Sequence, residues 1–183
     1  MKLSFWVNLC VVLALFLFST ASAQQEDPKA RVPYLRGPHI SFHVGSTHPL
    51  GDLDSLTDAN IHARVNLDYA FTTYARLMFM AGLNQFTAES FAGVEHPRWI
   101  NLSINCKALF PAPTGTGMRY YLQGGCGYYL PKTGSNEIGF NLGLGGQIPI
   151  GAPFDIEFGI DYHHVFTDDT TQFLTWQLGV LFR

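Results

Sequence analysis

Phe173–Arg183 reads F-L-T-W-Q-L-G-V-L-F-R. Leu174, Trp176, Leu178, Val180 and Phe182 alternate with Thr175, Gln177 and Gly179, and only Leu181 blurs the period of two. Side chains of a strand point to opposite faces in turn, so this stretch predicts a β-strand with one apolar, aromatic face. Such a face has to be covered by something, and seven earlier stretches pose the same problem.

Alternation predicts strands over 37–48, 59–71, 74–84, 99–110, 118–130, 137–147, 154–165 and 173–183. In the second, Ile61, Ala63, Val65, Leu67, Tyr69 and Phe71 alternate with His62, Arg64, Asn66 and Asp68; in the seventh, Phe154, Ile156, Phe158, Ile160 and Tyr162 alternate with Asp155, Glu157, Gly159, Asp161 and His163. The third strand has two readings. Placing Ala75, Leu77, Phe79, Ala81 and Leu83 on the apolar face sends Arg76 the other way with Met78 and Met80, and a two-residue turn pairing Phe71 with Tyr74 would reverse this. The first reading is adopted. These strands have the length of tilted membrane-crossing strands, beyond the ~5–6 residues usual in soluble sheets.

Two arrangements satisfy such a pattern: a soluble barrel with its apolar face inward, or a membrane barrel with that face in lipid. Three features favour lipid. The polar face carries Gly, Asn, Ser, His and Gln in place of the Lys/Glu coat of soluble domains, and only 14% of all residues are charged. Arg64, Arg76, Lys107 and Arg119 balance Asp68, Asp155, Glu157 and Asp161, as an enclosed polar network requires. Aromatic residues (Tyr69, Phe71, Tyr74, Trp99, Phe110, Phe154, Tyr162, Phe173 and Phe182) gather at strand ends, where interfacial girdles sit. Short connections after the second, fourth and sixth strands alternate with longer polar ones after the first and third, as in outer-membrane barrels with both termini in the periplasm.

The start of the chain fits export. Lys2, the apolar run Phe5–Phe18 and the small residues Ala21-Ser22-Ala23 predict a cleavable signal peptide over 1–23. Residues 24–36, polar and carrying Pro28 and Pro33, read as a flexible lead-in, leaving 37–183 as the barrel. Removing Lys2 with the leader leaves ten basic against fourteen acidic residues and no basic patch, which excludes a nucleic-acid binder. Cys106 and Cys126 are symmetric about Thr116 and are expected to oppose each other across a hairpin, either joined in a disulfide or left as two thiols.

The whole region 37–183 resembles the small eight-stranded outer-membrane barrels, the OmpA-type transmembrane domain and the opacity-protein-like surface antigens. The residues that carry this are F-D-I-E-F-G-I-D-Y-H-H-V-F from Phe154 and the final strand. The resemblance implies an all-β, antiparallel up-and-down transmembrane β-barrel in the bacterial outer membrane. It implies that Trp176, Leu178, Val180 and Phe182 are read by the barrel assembly machinery, although here Arg183 follows the terminal aromatic. The expected partners are outer-membrane lipid and lipopolysaccharide, and the expected state is a monomer.

An eight-stranded barrel is just wide enough for its own side chains. The lumen residues Arg64, Asp68, Arg76, Lys107, Arg119, Asp155, Glu157 and Asp161 are therefore read as a structural network, with a narrow channel as the alternative. His39, His43, His62 and His163 face the same interior, but no Cys or tight carboxylate cluster joins them, and no metal or other cofactor is expected. Lipid-A-modifying barrels with a His-x-Ser-Asn motif share this architecture. The corresponding strand here reads Tyr162-His163-His164-Val165, and Ser41 and Ser103 lack an adjacent His–acid pair, so no enzyme is expected. Asp52, Asp54, Asp58, Asp168 and Asp169 form an acidic loop rim, read as solvated loops, as a divalent-cation bridge to lipopolysaccharide phosphates or as a contact for a surface partner.

Overall fold

Period-two alternation becomes eight long strands whose apolar sides all point the same way. The computed structural model describes residues 37–51, 57–88, 98–111, 117–132, 135–151, 153–167 and 171–183. The expected signal peptide and lead-in, and Asp52, Asp54, Asp168 and Asp169, lie outside the described residues. The strands are β1 (Gly37–Leu50), β2 (Thr57–Asp58), β3 (Asn60–Ala70), β4 (Ala75–Gln85), β5 (Thr87–Ala88), β6 (Arg98–Pro111), β7 (Arg119–Pro131), β8 (Glu137–Gly151), β9 (Phe154–Val165) and β10 (Thr171–Phe182). Eight of them close into one antiparallel barrel in the order β1-β10-β9-β8-β7-β6-β4-β3, with β3 pairing back onto β1. Closure leaves no open sheet edge, the condition for strands in lipid.

Two short strands were not expected. β2 and β5 fall in stretches read as loops, and they pair as a separate two-stranded sheet beside the end of the barrel where β1 finishes. We call this the loop end. The opposite, turn end carries Gly37, the 71–74 turn and Arg183. The two readings of β4 are separated by that turn. Ala70 pairs with Arg76, which centres the connection on Thr73, so Tyr69 opposes Leu77 and both face outward. Arg76, Met78 and Met80 face the lumen, as adopted above.

The outside of the barrel is apolar and the inside polar. Val44 is 65% exposed and Leu178 58%, while Asn66, Asp68 and Glu157 are fully buried. This inverts a soluble barrel and is the arrangement that a bilayer stabilises. The aromatic girdle needs one correction. Tyr69, Phe71, Phe154 and Phe182 are exposed, but Phe173 is fully buried inside, in a cluster with Phe86, Tyr129 and Val165, and Trp99 packs against it. Phe173 shares its parity with Thr175 and Gln177, so it follows the polar face of β10 into the lumen.

Candidate functional site: the barrel lumen

The lumen is stacked in layers along the barrel axis. At the loop end lies the aromatic cluster, with the His163 ring stacked 4.6 Å from Phe173. Below it, neutral groups pair: the Tyr129 hydroxyl meets His163 Nδ1 at 2.9 Å, and His62 Nδ1 meets Asn84 Oδ1 at 2.8 Å. Asn84 in turn donates to Asn101 Oδ1 at 3.0 Å.

The next layer is built on Asp161. Its carboxylate accepts from Arg64 Nη1, from Gln123 Nε2 at 2.6 Å and from Gln177 Nε2 at 2.8 Å. The third layer is built on Glu157. Lys107 Nζ lies 3.2 and 3.4 Å from its two oxygens, and His43 Nε2 lies 3.1 Å from Oε2. Lys107 also sits 3.6 Å from Asp68, Arg76 lies 3.5 Å from the same carboxylate, and the Tyr121 ring stacks 4.7 Å under the ammonium. At the turn end Asp155 accepts from Gln147 and pairs with Arg183 Nη2 at 2.9 Å.

Every charged partner in these layers has a side-chain exposure of 0 or 1% except Arg183, at 10%. Arg64, Arg76, Lys107 and Arg183 face Asp68, Asp155, Glu157 and Asp161, so the buried charges balance. Charges this deep are tolerated only when paired, and Asp161, Glu157 and Asp68 each reach a strand that is not an immediate neighbour, on β3, β6 and β6 respectively. Ion pairs and amide contacts cross the bore, while Asp68, Arg76 and part of the Arg64 guanidinium have charge partners without well-formed hydrogen bonds.

No family model and no curated protein matches the chain. Among solved structures, Neisserial surface protein A covers 80% of this chain and 96% of its own at a TM-score of 0.65, with 11% identity. The outer membrane protein OprG of Pseudomonas aeruginosa matches at a TM-score of 0.56 with 9% identity, over 81% of this chain and 97% of its own. Ail, the attachment invasion locus protein of Yersinia pestis, matches at 0.53 with 17% identity, over 81% and 99%. The fold is that of the small eight-stranded outer-membrane barrels. At such identities the likeness carries architecture and no ligand.

Within this outer-membrane-type barrel, the lumen brings together seven of the eight residues expected to form its network. The eighth is Arg119. It stands at the turn end, half-buried, and donates from Nη1 to the Thr73 carbonyl at 2.9 Å. Arg183, read only as a departure at the terminus, takes the fourth cationic place. The histidines do not converge: His43 serves Glu157, His62 serves Asn84, His163 serves Tyr129, and among the described residues no group of three potential metal ligands forms.

The cysteines also differ from expectation. Ile104 pairs with Cys126 and Cys106 with Gly124, so the two thiols sit diagonally, one pair apart. Diagonal neighbours stand beyond the Cα separation that a disulfide spans, and both cysteines are free.

Outside the lumen, Trp176, Leu178, Val180 and Phe182 all face lipid. One outward pair went unseen in the sequence. Ser46 and His48, two apart on β1 and hence on one face, place Oγ 2.9 Å from Nε2. The Ser-x-His spacing on a strand was the available signal.

Proposed function

We propose that this protein is a non-conducting, non-enzymatic outer-membrane barrel with a structural or surface-interaction role, its loop end outside and both termini periplasmic. The observation that carries this reading is the filled lumen: three charged and neutral layers under an aromatic cap, with ion-paired side chains buried to the last few per cent. The bore of an eight-stranded barrel is just wide enough for its own side chains. The outward row Trp176, Leu178, Val180 and Phe182 supports its use as the assembly signal, and the likeness to a Neisserial surface protein supports a surface role. The expected result in planar bilayers is no discrete conductance steps from refolded protein. Reproducible steps would favour the narrow channel.

A second reading is favoured by the Ser46–His48 pair, which stands on the lipid-facing side at the edge of an apolar groove lined by Val44, Leu144, Phe158 and Trp176. A nucleophile within hydrogen-bond reach of a base suits attack on an acyl ester: Ser46 Oγ adds to the carbonyl, His48 takes its proton and returns it to the leaving alcohol, and water then frees the acid. Under the first reading, purified barrel in lipid A micelles releases no fatty acid above a Ser46→Ala variant. Release that this substitution abolishes would install the hydrolase.

A further inference from the structure

The two thiols take no part in the lumen network or in the proposed function. Cys106 and Cys126 share the parity of Ile104 and Tyr128, so both stand on the lipid-facing side of the wall, and both are free. They occupy one diagonal of a four-residue cell on the β6–β7 pair. Ile104, opposite Cys126, and Gly124, opposite Cys106, occupy the other. Gly124 carries no side chain, so nothing from that corner fills the space between the sulfurs. Phe140 opposes Cys126 on the β8 side and Leu77 opposes Cys106 on the β4 side, which surrounds the pair with hydrocarbon.

Distance and charge together limit what such a pair can hold. Diagonal residues stand ~7–8 Å apart at Cα and somewhat less at Cβ. A disulfide draws its Cβ atoms to about 3.8 Å, too short for that span. Two metal–thiolate bonds of ~2.3 Å in line set the sulfurs about 4.6 Å apart, and with both Cβ–Sγ arms this reaches across a diagonal. Among the described residues no group of three potential metal ligands forms, so zinc, which asks for four, is not served. A soft ion content with two collinear thiolates fits the donor set. Charge then selects among such ions. Two thiolates on a cuprous ion leave a net negative charge in hydrocarbon, which is costly, whereas two thiolates on a divalent ion are neutral.

We propose that Cys106 and Cys126 form a two-coordinate site for mercuric ion, entered from the bilayer. Mercuric chloride is a neutral, linear molecule and carries no charge into hydrocarbon. Each thiol displaces one chloride in turn. Two S–H and two Hg–Cl bonds break, two Hg–S bonds form, and two HCl leave to water, with no change of oxidation state. The product is neutral, so the apolar wall is never asked to hold a bare thiolate. The second bond closes within one molecule, which lets the pair outlast a competing monothiol.

The test uses the full chain carrying Cys10→Ser, which leaves these two thiols, refolded into lipid vesicles and loaded with mercuric chloride. Excess mercury is washed away with mercaptoethanol, and a heat-shifting band on an unheated SDS gel confirms that the loaded protein is the folded barrel. The expected result is one mercury per barrel, with both thiols silent to a thiol reagent. Cys106→Ala and Cys126→Ala should each retain about tenfold less or lower still, since each keeps only a single bond. No retention by the parent, two mercury ions per barrel, or unchanged retention in either variant overturns the site. X-ray absorption at the mercury edge of the loaded parent decides the matter even where a variant fails to fold. Two sulfur neighbours are expected, and one sulfur with one chloride overturns the chelate.

Discussion

Replacing Asp161 with alanine is expected to cost the barrel about 3–5 kcal/mol, the largest loss from any single lumen side chain. Asp161 on β9 is the common acceptor for Arg64 on β3, Gln123 on β7 and Gln177 on β10, so one carboxylate joins four strands across the bore. Without it Arg64 keeps the Met80 sulfur at 3.2 Å as its remaining side-chain contact and becomes an uncompensated buried cation. Removing both charges, as in Arg64→Met/Asp161→Leu, should recover much of the loss, because the penalty lies in the orphan and not in the absence of the pair. The reading is the urea midpoint of barrel folded in lipid vesicles, followed by tryptophan fluorescence. A midpoint for Asp161→Ala equivalent to less than about 1 kcal/mol of loss would mean that water reaches Arg64, and the packed lumen would be wrong.

Facing was legible in the sequence, and partners were not. Period two fixes which side of the wall each residue takes, so the inward set on β9 and the outward set on β10 could be read directly. Which charges meet depends on how far the strands shift past one another when the sheet closes. Arg64 and Asp161 are 97 positions apart, and nothing local to either names the other. The cysteines show how small the margin is. A register two residues from the symmetric one turns direct opposition into a diagonal. Phe86 lies in a stretch without alternation, which hides the cap it forms with Phe173, although Phe173 shares the inward parity of Thr175 and Gln177. Arg183 looked like a flaw in a terminal signal and acts as the lumen's fourth cation. Its guanidinium reaches back to Asp155 only because β9 and β10 are neighbours.

Gly45→Ala is expected to abolish the barrel, and Gly146→Ala to leave it intact, although each adds one methyl group to a glycine in the wall. Gly45 lies on the β1–β10 seam opposite Gln177. A Cβ there would stand 1.7 Å from the Trp176 carbonyl oxygen, 2.7 Å from its carbon and 2.9 Å from the Gln177 Cα. All three are backbone atoms of the paired strand, so relief requires the two strands to part. Parting is what a closed barrel in lipid cannot accommodate, since it opens an edge of unpaired N–H and C=O groups to hydrocarbon. At Gly146 the new atom meets the tip of the Phe158 ring at 2.5 Å and the Met118 methyl at 3.0 Å. Those groups lie on the outer surface and can swing into the acyl chains, at a cost of about 1 kcal/mol or less in rotamer strain. Unheated SDS gels of protein refolded into vesicles separate the two cases. Gly146→Ala should run as a compact form that shifts on boiling, and Gly45→Ala should run only at the unfolded position. A compact, heat-shifting band from Gly45→Ala would show that β1 and β10 pair in a different register, and the lumen layers built on β1, including the His43–Glu157 contact, would have to be redrawn with it.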